Sequence, residues 1–446
     1  MSNSLIDKVR SFINKENLLI HDKTYIVALS GGADSIALSL LLREFGYSFQ
    51  AAHCNFHLRG EESDRDEQFV KSFAQKNDIP LHIIHFDTKK YASIHHFSIE
   101  TAARYLRYNY FEDLRKGIDA EGIVVGHHKD DNVETVLMNL VRGTGLNGMQ
   151  GILPINGKII RPLLCVCRNE VEEYLSHIGQ EYVIDSTNLD TKATRNKFRI
   201  DILPMLRKVN PNVSNNIDLT SNHFKEVKKI VDQAVGDAKK KIIKVDNNCT
   251  RIDIPSLMIF PSPSYLLFEI CRNYSFTPAQ VEDIFAAIDS RPGKIFCSAT
   301  NELLIDRKTI IIEGKKQYVK KMTIPCCGVY IVDDVRLRIY TKPIETDNFE
   351  IVKCDNKVCV DSDSVKFPFT VRTVNKGDRF TPFGMKGSKL ISDYLTDKKK
   401  NLFEKRRQLI IEDNNGTIVW LMGERINDRC KISTKTKVAT FIELIK

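Results

Sequence analysis

The stretch Ile26–Leu42, IVALSGGADSIALSLLL, passes from a short apolar run to an apolar helical period through Ser30-Gly31-Gly32-Ala33-Asp34-Ser35. An apolar run that stops at paired glycines and restarts with helical spacing reads as a buried strand, a tight turn and a buried helix. Glycines permit positive-φ turns in which successive backbone N–H groups converge on one anion, and the helix that follows adds its positive N-terminal end. Ser30 and Ser35 supply hydroxyl donors. The loop holds no lysine, so part of a phosphate's charge must be neutralised from elsewhere, and Asp34 could do this by holding Mg²⁺. The alternative is a plain strand-to-helix turn with Asp34 as a first-turn acid. The full S-G-G-x-D-S pattern between a buried strand and an apolar helix favours the phosphate reading.

Outward from the loop, residues 24–126 alternate short apolar runs with longer helical periods. TYIVALS, SFQAAHCNF, LHIIHF and GIVVGHH read as parallel strands, and DSIALSLLLREFG, SDRDEQFVKSFAQKN and SIETAARYLRYNYFEDLRKG as the helices between them. The alternation predicts an α/β fold with a doubly wound parallel sheet, whose ligands sit beyond the carboxyl ends of the strands. Past Pro204 and Pro211 the pattern turns helical and lysine-rich, and from about 330 it becomes period-2 and β-rich. The expected organisation is an α/β domain at 1–210, a helical middle domain at 211–328 and a small mixed α+β C-terminal domain at 329–446.

The 42% hydrophobic and 28% charged fractions are those of a soluble globular chain. No apolar run approaches the roughly 20 residues of a membrane helix, and the opening MSNSLIDKVRSFINKENLL is amphipathic rather than a signal peptide, so no membrane partner and a cytoplasmic location are expected. The 11 cysteines form no C-x-x-C pair or zinc-spaced cluster and read as reduced thiols. A net charge of +9 is consistent with an acidic macromolecular partner.

The S-G-G-x-D-S loop resembles that of the N-type ATP pyrophosphatases, the PP-loop family. Four further blocks resemble, in order, the family's lysidine-forming branch: AAHCNFHLRGEESDRDEQFV (51–70), ETAARYLRYNYF (100–111), GHHKDDNVETVLMNLVRGTGLNGMQGI (126–152) and DSTNLDTKATRNKFRIDILP (185–204). The resemblance implies a Rossmann-like catalytic domain that cleaves ATP between its α and β phosphates, with Ser30, Gly31, Gly32, Ala33, Asp34 and Ser35 binding ATP as co-substrate with Mg²⁺. It implies ligation of free lysine to C2 of the wobble cytidine of tRNA(Ile) with a CAU anticodon, through an adenylylated tRNA. It also implies a homodimer, which the residue pattern itself does not establish.

Around the loop, Asp130, Asp131 and Glu134 are spaced to share one helical face, where they could complete a Mg²⁺ site with Asp34 or hold the ammonium of lysine. Acids at a helix start are also common dipole complements. His127 and His128 could be a general base or substrate contacts or a structural polar pair at a strand end, and His127 is kept as the site residue. Arg104 and Arg107 lie three apart on a helix and either grip phosphate or form a solvated face. Arg142, before GTG, could likewise stabilise charge near the site. Arg195, Asn196 and Arg199 are spaced along one side of a helix start, and the resemblance assigns them to catalysis or tRNA placement.

Between Lys376 and Arg407 the chain has ten Lys/Arg against four Asp/Glu, interleaved with Phe380, Phe383, Tyr394 and Phe403. Cations neutralise phosphates and aromatics stack on unpaired bases, so Lys389, Lys398, Lys399, Lys400, Arg406 and Arg407 are the expected tRNA contacts. Rival readings are another PP-loop tRNA-modifying enzyme, such as a cytidine thiolase, or a non-catalytic RNA-binding relative.

Overall fold

The apolar runs become β1 (Thr24–Ala28), β2 (Ser48–Asn55), β3 (Leu81–His85) and β4 (Gly122–Val124), parallel neighbours in a six-stranded sheet of order β3-β2-β1-β4-β6-β5. β5 (Ile155–Asn156) and β6 (Ile159–Ile160) complete it, β6 parallel to β4 and β5 antiparallel at the edge. The computed structural model describes residues 2–184, 194–246, 249–316, 321–332, 335–344, 354 and 356–445. The first nine residues of the 185–204 block therefore lie outside the described residues.

Side chains of β1 alternate between two cores, as strand geometry demands. Val27 and Leu29 join a cluster built with α1 (Ser2–Lys15), α2 (Ala33–Glu44) and α3 (Glu61–Lys76), whereas Ile26 packs with Ile123 and with Phe111 from the opposite face. Ile36, Leu38, Leu41 and Leu42 of α2 are each at most 1% exposed, so this helix is apolar nearly all round. Each such side chain contributes roughly 1.5–3 kcal/mol of burial, which clamps the loop before α2 to the sheet. Beyond β3 come α4 (Thr88–His95) and α5 (Ile99–Gly117), and beyond β4 come α6 (Lys129–Val141), α7 (Gly145–Met149) and α8 (Arg168–His177).

Three shorter or longer helices follow: α9 (Thr194–Lys197), α10 (Leu203–Val209) and the 30-residue α11 (Val213–Ile242). The chain divides into two compact units, Met1–Asp232 and Gln233–Lys446. In the second unit the middle region carries, besides its helices, a five-stranded sheet between Ile243 and Gly314. The β-rich tail forms two four-stranded sheets around Phe369 and Trp420, both fully buried. VRLRIYT, FTVRTV and TIVWLMGE supply the strands Val335–Pro343, Phe369–Thr373 and Ile418–Leu421. Short helices at Ile391–Asp397 and Leu402–Arg407 complete a mixed α+β region.

Candidate active site

The chain leaves β1 toward β2 and β3 and returns on the other side of β1 at β4. That reversal opens a crevice beyond the carboxyl ends of β1 and β4, where doubly wound sheets hold ligands. The loops after the two strands meet at Gly126: a Cβ there would lie 3.0 Å from the Asp34 carbonyl carbon. Gly31 takes a φ of +91°, which a side chain would strain.

The S-G-G loop is braced from within. Ser35 Oγ accepts the N–H groups of Ser30 and Gly31, each at 3.2 Å, and donates to the Gly32 carbonyl at 2.9 Å. Gly32 is the N-cap of α2 and no side chain caps the helix, so its first-turn N–H groups point at whatever anion enters. Ser30, Gly32, Asp34, His128, Asp131 and Glu134 are among the residues around a cavity of about 500 Å³.

Asp34 Oδ2 accepts from Arg168 Nη1 and lies 3.9 Å from His128 Nε2. Its Oδ1 is buried without a partner among the described residues. Burial pushes the Asp34 carboxyl up, against the pull of His128 and Arg168. Burial also works against the Asp131 carboxylate, but His128, Arg195 and the His128 N–H outweigh it and hold the carboxyl below its ordinary range.

Asp131 and Glu134 come together on α6 as their spacing predicts, and both are engaged by arginines. Asp131 Oδ2 accepts the His128 N–H at 2.9 Å, and its Oδ1 accepts from Arg195 Nη2 at 3.0 Å. The Glu134 side chain is 1% exposed; it accepts from Arg195 Nε at 2.7 Å and from Arg199 Nε at 2.6 Å. Arg199, expected among the tRNA contacts, thus belongs to the same cluster as Arg195, and Asn196 sits half-buried between them in sequence on α9. Asp130 lines the same cavity: its Oδ2 accepts the Arg168 N–H at 2.9 Å and its Oδ1 faces Arg207 at 3.4 Å.

His127 sits at the same strand end. Arg161 Nε donates to its Nδ1 at 3.2 Å. A guanidinium cannot accept, so Nδ1 holds the lone pair and the neutral ring carries its proton on Nε2. Burial, reinforced by Arg161, Arg195 and Arg104 against the opposing Asp131, brings the His127 pKa down to about 4. In this state the ring is a hydrogen-bond donor with its basic nitrogen already taken.

Arg104 and Arg107 are exposed on α5, over the rings of Tyr108 at 5.0 Å and Phe56 at 5.2 Å. Arg142 is the exposed C-cap of α6. Among the described residues, no three His, Cys, Asp or Glu side chains gather at metal-binding spacing. Arg161, Arg168 and Arg207 are members of this region that sequence reasoning missed as site residues, and His128, which that reasoning weighs with His127 but does not keep, lines the cavity. None lies at a periodic spacing that would have pointed to its role.

The basic tail needs a correction. Phe380, Tyr394 and Phe403 are 2%, 6% and 2% exposed, packed in apolar clusters, and only Phe383 of the four stands out, at 43%. Burying ring area is worth more to so small a layer than displaying it, so these rings are not a base-stacking surface. Lys389 pairs with Asp397, Lys400 with Glu424 at 3.3 Å, Arg406 with Glu302 at 3.5 Å and Arg407 with Glu313. Lys398 and Lys399 are exposed without a carboxylate partner among the described residues, Lys398 Nζ lying 5.9 Å from the Tyr394 ring.

Sheet order, uncapped loop and acidic helix start define an ATP-utilising PP-loop site, and the PP-loop domain model matches residues 1–206. A second model, the TilS substrate binding domain, matches residues 245–316. The chain is 42% identical to the tRNA(Ile)-lysidine synthase of Parabacteroides distasonis over 99% of this chain and 100% of that one. It is also 42% identical to the enzyme of that name from Bacteroides thetaiotaomicron, over 98% and 99%. The chain belongs to the tRNA(Ile)-lysidine synthase family, ligases that form a carbon–nitrogen bond. Among solved structures, the U34-tRNA thiolase NcsA of Methanococcus maripaludis aligns at 19% identity and a TM-score of 0.43 over 50% of this chain and 79% of that one.

Proposed function

We propose that the crevice between β1 and β4 ligates lysine to C2 of the wobble cytidine of tRNA(Ile) with a CAU anticodon, in two steps. The observation that carries this reading is the meeting of an uncapped S-G-G helix start with Asp34, whose Oδ1 is buried, and the Asp131–Glu134 pair. The uncapped N–H groups of α2 receive the β and γ phosphates of ATP and stabilise charge as pyrophosphate leaves. The cytidine O2 bonds to the α phosphorus as the bond to the β-phosphate oxygen breaks. The lysine amine then bonds to C2, the C2–O bond breaks, AMP departs and the amine gives up a proton. A carbonyl oxygen leaves poorly, whereas a phosphate ester leaves well.

Mg²⁺ characteristically takes one or two protein carboxylates together with substrate phosphates, and the unpartnered Asp34 Oδ1 suits that part better than Asp130 or Asp131, whose oxygens are held by protein donors. Bound there, the ion would neutralise phosphate charge as a Lewis acid. Asp131 and Glu134 hold the lysine ammonium by partly displacing Arg195 and Arg199, which then turn to phosphate. His127 donates through Nε2 to a substrate oxygen, and Arg107 meets RNA phosphate.

The domain at 1–210 would carry the chemistry, 211–328 would contact tRNA and 329–446 would hold it through its exposed lysines. The reaction belongs in the cytoplasm, where tRNA, lysine and ATP occur together, and the working form is a homodimer. The test mixes the protein with ATP, Mg²⁺, labelled lysine and CAU-bearing tRNA(Ile). Lysine entering the tRNA with release of AMP and pyrophosphate is expected; sulfur incorporation, or no incorporation, refutes the reading.

A further inference from the structure

We propose that Arg161, with Arg104 as a second cation, forms a phosphate seat separate from the S-G-G loop. Arg161 follows β6 and is 6% exposed. Its Nε donates to His127 Nδ1 at 3.2 Å and its Nη1 to the Leu153 carbonyl at 2.8 Å. No carboxylate among the described residues pairs with it. Its neighbours around the crevice differ: Arg168 has Asp34, Arg195 and Arg199 have Glu134, and Arg207 has Asp130. Those four keep between 34% and 48% of their side chains exposed.

The arginine most withdrawn from water is therefore the one without a counter-charge, which is the costly way to bury a guanidinium. Burial first, and then the charge of Arg104, an exposed cation on α5 without an ion pair among the described residues, disfavour the charged form of Arg161. A buried guanidinium without a counter-charge at the strand end that carries His127 suits an anion that arrives with substrate. Arg161 Nη2 makes no hydrogen bond among the described residues. A guanidinium edge left open in this way matches the paired oxygens of a phosphate.

Two substrates of the proposed reaction carry that chemistry: the RNA backbone beside the target cytidine, and the nucleotide. The identity of the source rests on the proposed function, whereas the seat itself does not. The full-length protein and its Arg161→Met and Arg104→Met variants are compared for tRNA(Ile) affinity over a salt series, for the KM of ATP and of tRNA, and for Tm. An RNA phosphate predicts that both variants bind tRNA roughly ten-fold more weakly. It also predicts a plot of log affinity against log salt that is flatter by about 0.7 for each single-strand phosphate no longer neutralised, with the KM for ATP unmoved.

A nucleotide phosphate predicts the same rise in the KM for ATP with tRNA affinity unmoved. Either result supports the seat. Unchanged binding of both ligands by both variants overturns it, as does a fall in kcat alone for Arg161→Met with a silent Arg104→Met, which would make Arg161 a prop for His127. If Arg161→Met does not fold, the exposed Arg104→Met decides by the same criteria. A wild-type protein that incorporates no lysine while Arg104→Met still weakens RNA binding refutes the proposed function and leaves the seat standing.

Discussion

Asp34 has one oxygen tied to Arg168 and the other buried without a partner among the described residues, so its environment separates a fixing role from a free ligand role. Asp34→Ala is expected to cut tRNA-dependent pyrophosphate release by at least about a hundred-fold, the loss typical of one charge-stabilising group. Its tRNA affinity should stay near wild type in a filter-binding assay, and equal loss of both would mark the aspartate as structural. Glu134, at 1% exposure, pairs with both Arg195 and Arg199, which also reach Asp131 Oδ1 at 3.0 and 3.6 Å. Glu134→Ala therefore leaves two arginines short of their counter-charge, and because both keep more than a third of their side chains exposed, the cost falls to about 2 kcal/mol, below that of a sealed pair. Chemical denaturation checks that figure, and the KM for lysine should rise in the same variant. His127 binds its proton less readily in the fold, with a pKa near 4 against 6.5 for the free side chain. The unfolded chain thus takes up more protons between those values. Stability from this group is fully present above pH 6.5 and is lost as pH falls toward 4, so His127→Gln should flatten the fall of Tm across that window.

At the scale of elements, what the sequence made legible is what depends on local pattern. The strand–loop–helix of residues 24–44 announces itself because burial on both sides forces apolar runs, and a glycine pair must fill the turn. Asp131 and Glu134 are legible because a spacing of three places side chains together on any helix. The arginines that answer them are less so. Arg168 meets Asp34 across 134 residues, and Arg161 meets His127 across 34, distances at which no periodic pattern reports a pairing. The five-stranded sheet of the middle region escaped for another reason: strands of four to six residues lie among helical stretches and carry too few alternations to declare a period. Interleaved cations and rings in the tail looked like an RNA surface because composition does not say which side of a helix faces inward. The contact between the β1 and β4 loops is tertiary too, and Gly126 is its hinge of fit. Gly126→Ala would press a methyl group to 3.0 Å from the Asp34 backbone, so the loop must shift. A lower kcat for pyrophosphate release with nearly unchanged tRNA affinity is expected, and an unaltered kcat would show that the loop tolerates the displacement.

Over the whole molecule the +9 charge is spread unevenly in its effect, because ion pairs within the chain consume part of it. Lys389, Lys400, Arg406 and Arg407 each face a carboxylate of their own chain, so an RNA phosphate must compete for them. Lys398 and Lys399 have no such competitor among the described residues, and they stand where the short helix Ile391–Asp397 ends. Counterion release rewards cations that are free to meet phosphate, which makes these two lysines a sharper test of the tail than its total charge. The Lys398→Glu, Lys399→Glu double variant should bind tRNA more weakly and flatten the dependence of log affinity on log salt, by about 0.9 for each duplex phosphate no longer neutralised. Lys389→Gln, which frees Asp397 while removing a cation already paired, should change that slope less. Because Lys398 and Lys399 are exposed, Tm should hold in the double variant, separating weakened RNA binding from a damaged fold. Affinity and slope both unchanged would take this segment out of the RNA path and leave tRNA recognition to other surfaces of the chain.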